Sequence, residues 1–169
     1  MHRAVLIAGA LACACAATAC SKSPGERLAE AAVSAASGQK VSVDKDGGKV
    51  TFKTEQGDVQ VTSGDAATLP ATFPKDVHLP SGYTVESSMQ SADAIILGLA
   101  VPGDLAKLAS ETDQAMTADG WKQQTAMQSE HGKLFMYEKD KRSAMMSFAP
   151  GNDGKVSMGV QLATQGASN

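Results

Sequence analysis

The sequence predicts an α+β fold: an N-terminal helix and a small antiparallel β-meander, then an antiparallel sheet of order ββαββββ packed on one helix. Three observations carry that expectation. Apolar and polar residues alternate over residues 41–61 and again after Trp121, the period of half-buried strands. Between them Leu105, Leu108, Ala109, Thr112 and Met116 recur at spacings of three and four, the period of an amphipathic helix. Gly- and Asp-containing turns separate the runs, and a helix beside a mostly antiparallel sheet buries one face of each.

The first element is not fold. Met1-His2-Arg3 leads into an uncharged run from Ala4 to Ala19 that ends in small residues, the pattern of a secretory signal peptide. A membrane span needs about 20 predominantly apolar residues, and this run is shorter and rich in alanine. Residues 1–19 are therefore expected to be removed. All three cysteines lie in this segment or immediately after it, Cys13, Cys15 and Cys20. A zinc site needs four thiolate or imidazole ligands, and the remaining candidates are His2, His78 and His131. A disulfide framework needs cysteines distributed through the fold.

Ala17-Thr18-Ala19-Cys20 instead resembles the lipobox of bacterial lipoproteins, with Ala17 in place of the usual Leu. That resemblance implies cleavage before Cys20 and acylation of its sulfur; a plain secretory signal cut near Ala19 is the alternative. Cutting at Cys13 or Cys15 would leave apolar sequence on the mature chain. Two acyl chains on glycerol and one on the amine anchor a protein stably, because each buried CH₂ contributes about 0.8 kcal/mol. By the same resemblance Ser21, where an Asp would signal inner-membrane retention, implies the outer membrane in a Gram-negative cell.

Residues 20–25 read as a polar tether. A helix is expected over 26–37, with a thin stripe of Leu28, Ala31, Ala32 and Ala35 and a stop at Gly38. Three strands follow to about Val61, so that residues 26–62 form one unit of helix plus meander. The Asp44-Lys45-Asp46-Gly47-Gly48 run lacks the further ligands and terminal Glu of a calcium loop and reads as a turn. Pro70, Pro74 and Pro80 mark 63–82 as an extended connector over the surface. The unit 83–163 begins with Tyr83, Val85 and Met89 on one face and continues into "AIILGLAV", apolar on both. Asp104 caps the helix, Gly120 ends it, and four short runs with alternation follow, Trp121/Thr125/Met127, Leu134/Met136, Ala144/Met146/Phe148 and Val156/Met158/Val160/Leu162. Residues 164–169 are expected as a flexible tail.

Beyond the lipobox, Phe73, Pro74, Asp76, Pro80, Gly82, Gly120 and Trp121 resemble a widespread group of bacterial lipoproteins. Those proteins join a Gly-rich meander, an FPxDxxxPxG connector and an α+β module whose helix ends in "GW". His78-Leu79 departs from the proline and aromatic often found there. The resemblance spans most of the mature chain and implies architecture and envelope location, with no activity attached.

Composition bounds partners. The full chain carries a net charge of −3, and losing Arg3 makes it more negative; with no basic cluster, nucleic acid is not an expected partner. Aromatic residues make up 4%, so aliphatic side chains and methionine must fill the core. No nucleophile elbow, H-E-x-x-H or phosphate loop occurs, and no enzyme, cofactor or metal is expected. His78 and His131 read as exposed polar residues, Asp76 as a turn or cap residue, and Trp121 as a core plug with its N–H bonded at the rim. Met136, Met146 and Met158 fall on inward phases of three successive strands and read as core filling. Two functional expectations result: a membrane-anchored envelope module that holds a structural or protein partner, or periplasmic binding of a small solute or soft metal such as Cu(I) through Met and His.

Overall fold

The computed structural model describes residues 42–46, 49–54 and 57–164. The helix expected over 26–37, Cys20 and residues 165–169 of the expected tail 164–169 lie outside them, while Thr164 ends the last strand. The described residues form a nine-stranded sheet, antiparallel at every pairing, with one helix packed on it: an α+β fold dominated by sheet. In chain order the elements are β1 (Ser42–Asp46), β2 (Lys49–Thr54), β3 (Gly57–Ser63), β4 (Thr84–Gln90), β5 (Ala94–Val101), α1 (Leu105–Ala118), β6 (Lys122–Ser129), β7 (Gly132–Lys139), β8 (Arg142–Pro150) and β9 (Val156–Thr164). Across the sheet they run β1-β2-β3-β4-β5-β9-β8-β7-β6. β3 pairs with β4, so the meander and the later strands share one sheet.

The helix is the crossover that makes this order possible. After β5 the chain must reach the far edge, where β6 begins a second meander that returns until β9 docks on β5. Asp104 starts α1 by accepting a hydrogen bond from the Lys107 amide at 2.9 Å. Gly120, at φ +85°, ends it: its amide donates to the Thr117 carbonyl and that of Trp121 donates to Met116, the paired bonds of a Schellman stop. Leu108, Ala109, Thr112 and Met116 are buried against β6, β7 and β8.

Register decides which side chains lie beneath that helix. Leu97, Leu99 and Val101 of β5 pair with Val160, Met158 and Val156 of β9, and these with Met146, Phe148 and Pro150 of β8. Phe135 and Tyr137 of β7 pair with Met146 and Ala144. This face, α1 and Trp121 make the core, with Met146 and Met158 fully buried. The connector joins it as well: Val77 and Pro80 are buried, and Phe73 and Leu79 pack on the cluster. It is a covering layer of the core rather than a surface strap.

Three methionines do not lie where the alternation placed them. Met136 is 42% exposed, on the face opposite Met146 and Met158. In "KLFMYEK" four successive residues are apolar or aromatic, so either phase could face inward, and burying Phe135 and Tyr137 removes more apolar surface than burying Leu134 and Met136. Met89 is 37% exposed because a bulge between Val85 and Ser87 reverses the phase of β4. Met127, 62% exposed, is turned outward by a second bulge between Gln123 and Thr125.

Candidate functional site

One corner of the helix-covered face holds a charged cluster. Asp140 and Lys141 take φ of +48° and +62°, both central residues left-handed, as a two-residue I′ hairpin requires. That turn sets Lys139 directly opposite Arg142. Two cations in such a pair repel. Asp76, delivered by the connector, lies between them: Arg142 donates through Nη1 to Oδ1 at 2.9 Å and through Nη2 to Oδ2 at 2.7 Å, and Lys139 Nζ donates to Oδ2 at 2.8 Å. The bidentate Arg142 fork, reinforced by Lys139 against the cost of burial, holds the Asp76 carboxyl well below the usual carboxylate range. The same pairing raises Arg142.

Trp121 completes the corner. Its Nε1–H donates to the Asp76 carbonyl at 2.6 Å, and the Arg142 guanidinium lies 4.9 Å from its ring centroid. The plug therefore has its polar edge satisfied by the connector backbone. His78 is half-buried beside it, with its amide donating to Met116 Sδ at 3.4 Å, and His131 is exposed in the β6–β7 turn. Neither meets the Asp76 cluster. A second contact ties helix to sheet: Tyr137 Oη donates to Asp113 Oδ1 at 2.9 Å, and Gln123 Nε2 donates to the same oxygen at 2.6 Å. Burial, then the bond to Asp113, pushes the Tyr137 phenol above its ordinary range.

A cleft of about 280 Å³ opens beside the Asp76 corner, lined by Thr72, Gln90, Asp93, Arg142 and Thr164. Its cation is already committed to Asp76, so the corner is built to clamp the connector onto the sheet. Among the described residues no group of three His, Cys, Asp or Glu gathers as a metal site, and no helix is long and apolar enough to cross a membrane.

The other distinctive surface is the sheet face opposite α1. A row of register-matched residues crosses it from Val50 through Val61, Met89, Ile96, Gln161 and Met145 to Met136. A parallel row runs Ser87, Gly98, Gly159, Ser147, Leu134 and Met127. At Gly98 and Gly159 a Cβ would sit 2.6 Å from the hydroxyls of Ser87 and Ser147, so those serines lean over the glycines and the row stays low. Met89, Met127 and Met136 stand exposed around it. Sequence reasoning missed this surface because it read Met136 as inward and placed Met89 in phase with Val85 and Met127 in phase with Trp121.

Comparison of the chain with protein-family models, with curated proteins and with solved structures finds no match in any of the three.

Proposed function

We propose that this chain is a lipid-anchored protein of the bacterial cell envelope whose folded part is a non-catalytic protein-interaction module. In this reading residues 1–19 are removed, Cys20 is acylated, residues 20–25 and a helix over 26–37 hold the sheet away from the bilayer, and Ser21 directs the protein to the outer membrane of a Gram-negative cell. The observation that supports an interaction role is the broad apolar face bearing Met89, Met127 and Met136, since methionine presents adaptable contact surface to partners. The anchor is tested by metabolic labelling with an alkynyl fatty acid. Cys20→Ser should abolish the label while Cys13→Ser and Cys15→Ser keep it; undiminished label in Cys20→Ser refutes the anchor. In fractionated Gram-negative cells Ser21→Asp should move the protein to the inner membrane.

The alternative, a small solute or Cu(I), draws on Met127 and His131, which line one shallow cleft with Leu134. Titration of the protein with Ag(I) separates the readings. The interaction module shows no stoichiometric complex, whereas a one-to-one complex lost in Met127→Leu establishes the metal site.

A further inference from the structure

We infer that the sheet face opposite α1 packs against the same face of a second copy of this chain. The inference rests on the interaction-module reading above and names the partner.

Charge comes first. Over β4 to β6 the positions that register assigns to this face include Met89, Ile96, Gln161, Met145, Met136 and Met127, and the remainder are small or uncharged with two exceptions. These are Glu138 and Lys122, which pair directly with each other at the corner of the sheet. A surface that meets its own copy about a twofold axis must be self-complementary, because every residue that approaches the axis approaches its own equivalent. Faces with a surplus of one charge repel themselves on such contact. This one has its two charges opposite in sign and adjacent.

Area comes second. Six strands, β4, β5, β9, β8, β7 and β6, each of seven to nine residues, contribute to this stretch. At a strand spacing of about 4.8 Å and a rise of about 3.4 Å per residue they present roughly 29 by 24 Å, or roughly 700 Å². A stable complex uses about 800 Å² on each partner, close to the area of this whole face. A single twelve-residue helix, about 18 Å long and about 10 Å wide, would cover roughly a quarter of it. A second sheet matches the whole.

Shape comes third. Twisted sheets stack face to face about 10 Å apart with their strands turned by about 30°. The low Ser-Gly-Gly-Ser row through Ser87, Gly98, Gly159 and Ser147 leaves room for the partner's protruding row of Met89, Ile96, Met145 and Met136. Ridge then meets groove in both directions.

Gln161, exposed on β9, stands near the middle of this face, and Lys75 is exposed on the connector. In cells making the full-length protein, Gln161→Cys should give a crosslinked species of twice the chain mass with a short bis-maleimide, and Lys75→Cys and the unsubstituted chain should not. Adding Met136→Glu to Gln161→Cys should lower that yield at least tenfold. Met136 lies outside the core, and a cooperative melt of the purified variant checks that it folds. No homodimer band from Gln161→Cys overturns the inference, and a maleimide labelling measurement says in which way. Free labelling means that the face meets no partner, so the interaction-module reading fails too. A crosslink to a different mass, lost with Met136→Glu, keeps that reading and refutes the second copy. Protection from label without any crosslink means that something other than a second copy covers the face and also overturns it.

Discussion

Asp76→Asn removes one charge and leaves nearly the same shape, which makes it the sharpest probe of how the connector is held. In the native corner the carboxylate accepts three charge-assisted hydrogen bonds, at 2.9, 2.7 and 2.8 Å. Bonds of this kind contribute about 1.5–3 kcal/mol each when sheltered. Here the Asp76 side chain keeps 29% of its exposure, so solvent screens the pairs and the simple sum is too large. Asparagine also retains one acceptor, while Lys139 and Arg142 are left facing each other with only the weaker influence of Asp140 to offset them. The net loss expected is about 2–3 kcal/mol at neutral pH, or roughly 4–12 °C in Tm for a chain of this size. The pH dependence follows from the lowered pKa. Folding favours ionised Asp76, so its contribution is full above the ordinary aspartate range, near pH 4, and is lost as pH falls through the lower folded value. The gap between wild type and Asp76→Asn should therefore be complete at pH 7 and narrow below about pH 4. Urea melts at a series of pH values, followed by emission of Trp121, the one tryptophan, measure it at the corner itself. A gap under about 0.5 kcal/mol at pH 7, the size of an ordinary surface substitution, or a gap unchanged down to pH 2.5, would refute the clamp.

Other outcomes follow from the same geometry. The Thr112 hydroxyl is fully buried without a hydrogen-bond partner, so Thr112→Val should stabilise the protein by about 1 kcal/mol in thermal melts. Met146→Leu and Met158→Leu should each cost under about 1.5 kcal/mol because volume is nearly kept, and Met136→Leu under about 0.5 kcal/mol because it lies outside the core. Tyr137, whose pKa is raised, should make the fold lose stability above about pH 10, where the unfolded chain deprotonates and the native phenol does not; Tyr137→Phe should flatten that limb and cost about 1 kcal/mol at pH 7 for the lost bond to Asp113.

Much of the fold was legible because its signals are local. Leu105–Ala118 is bounded by an Asp cap and a Gly stop whose chemistry acts within a few residues, and the structure places α1 on those same residues. β3 begins at Gly57, at φ +118°, and is followed by Gly64, at φ +62°, for a similar reason, since positive φ is a property of single residues. The pairing of β3 with β4 and the insertion of β9 between β5 and β8 join residues far apart in the chain, and no turn chemistry announces them.

The candidate surfaces were hidden by a related cause. Asp76 is separated from Arg142 by 66 positions, so nothing near Asp76 in the sequence marks it as a counter-ion. For the methionines the obstacle was phase. Strand periodicity reports two faces but does not say which is buried, and a single extra residue exchanges them. The Gln123–Thr125 bulge lets Trp121 point into the core while Met127, on the same nominal phase, points out. The bulge between Val85 and Ser87 does the same for Val85 and Met89. Both bulges act on the same face: without them Met89 and Met127 would fall on the helix side, and the apolar surface opposite α1 would lose exposed methionines toward both ends. The two departures from regular alternation that defeat a sequence reading are therefore the features that put Met89 and Met127 on the face opposite α1.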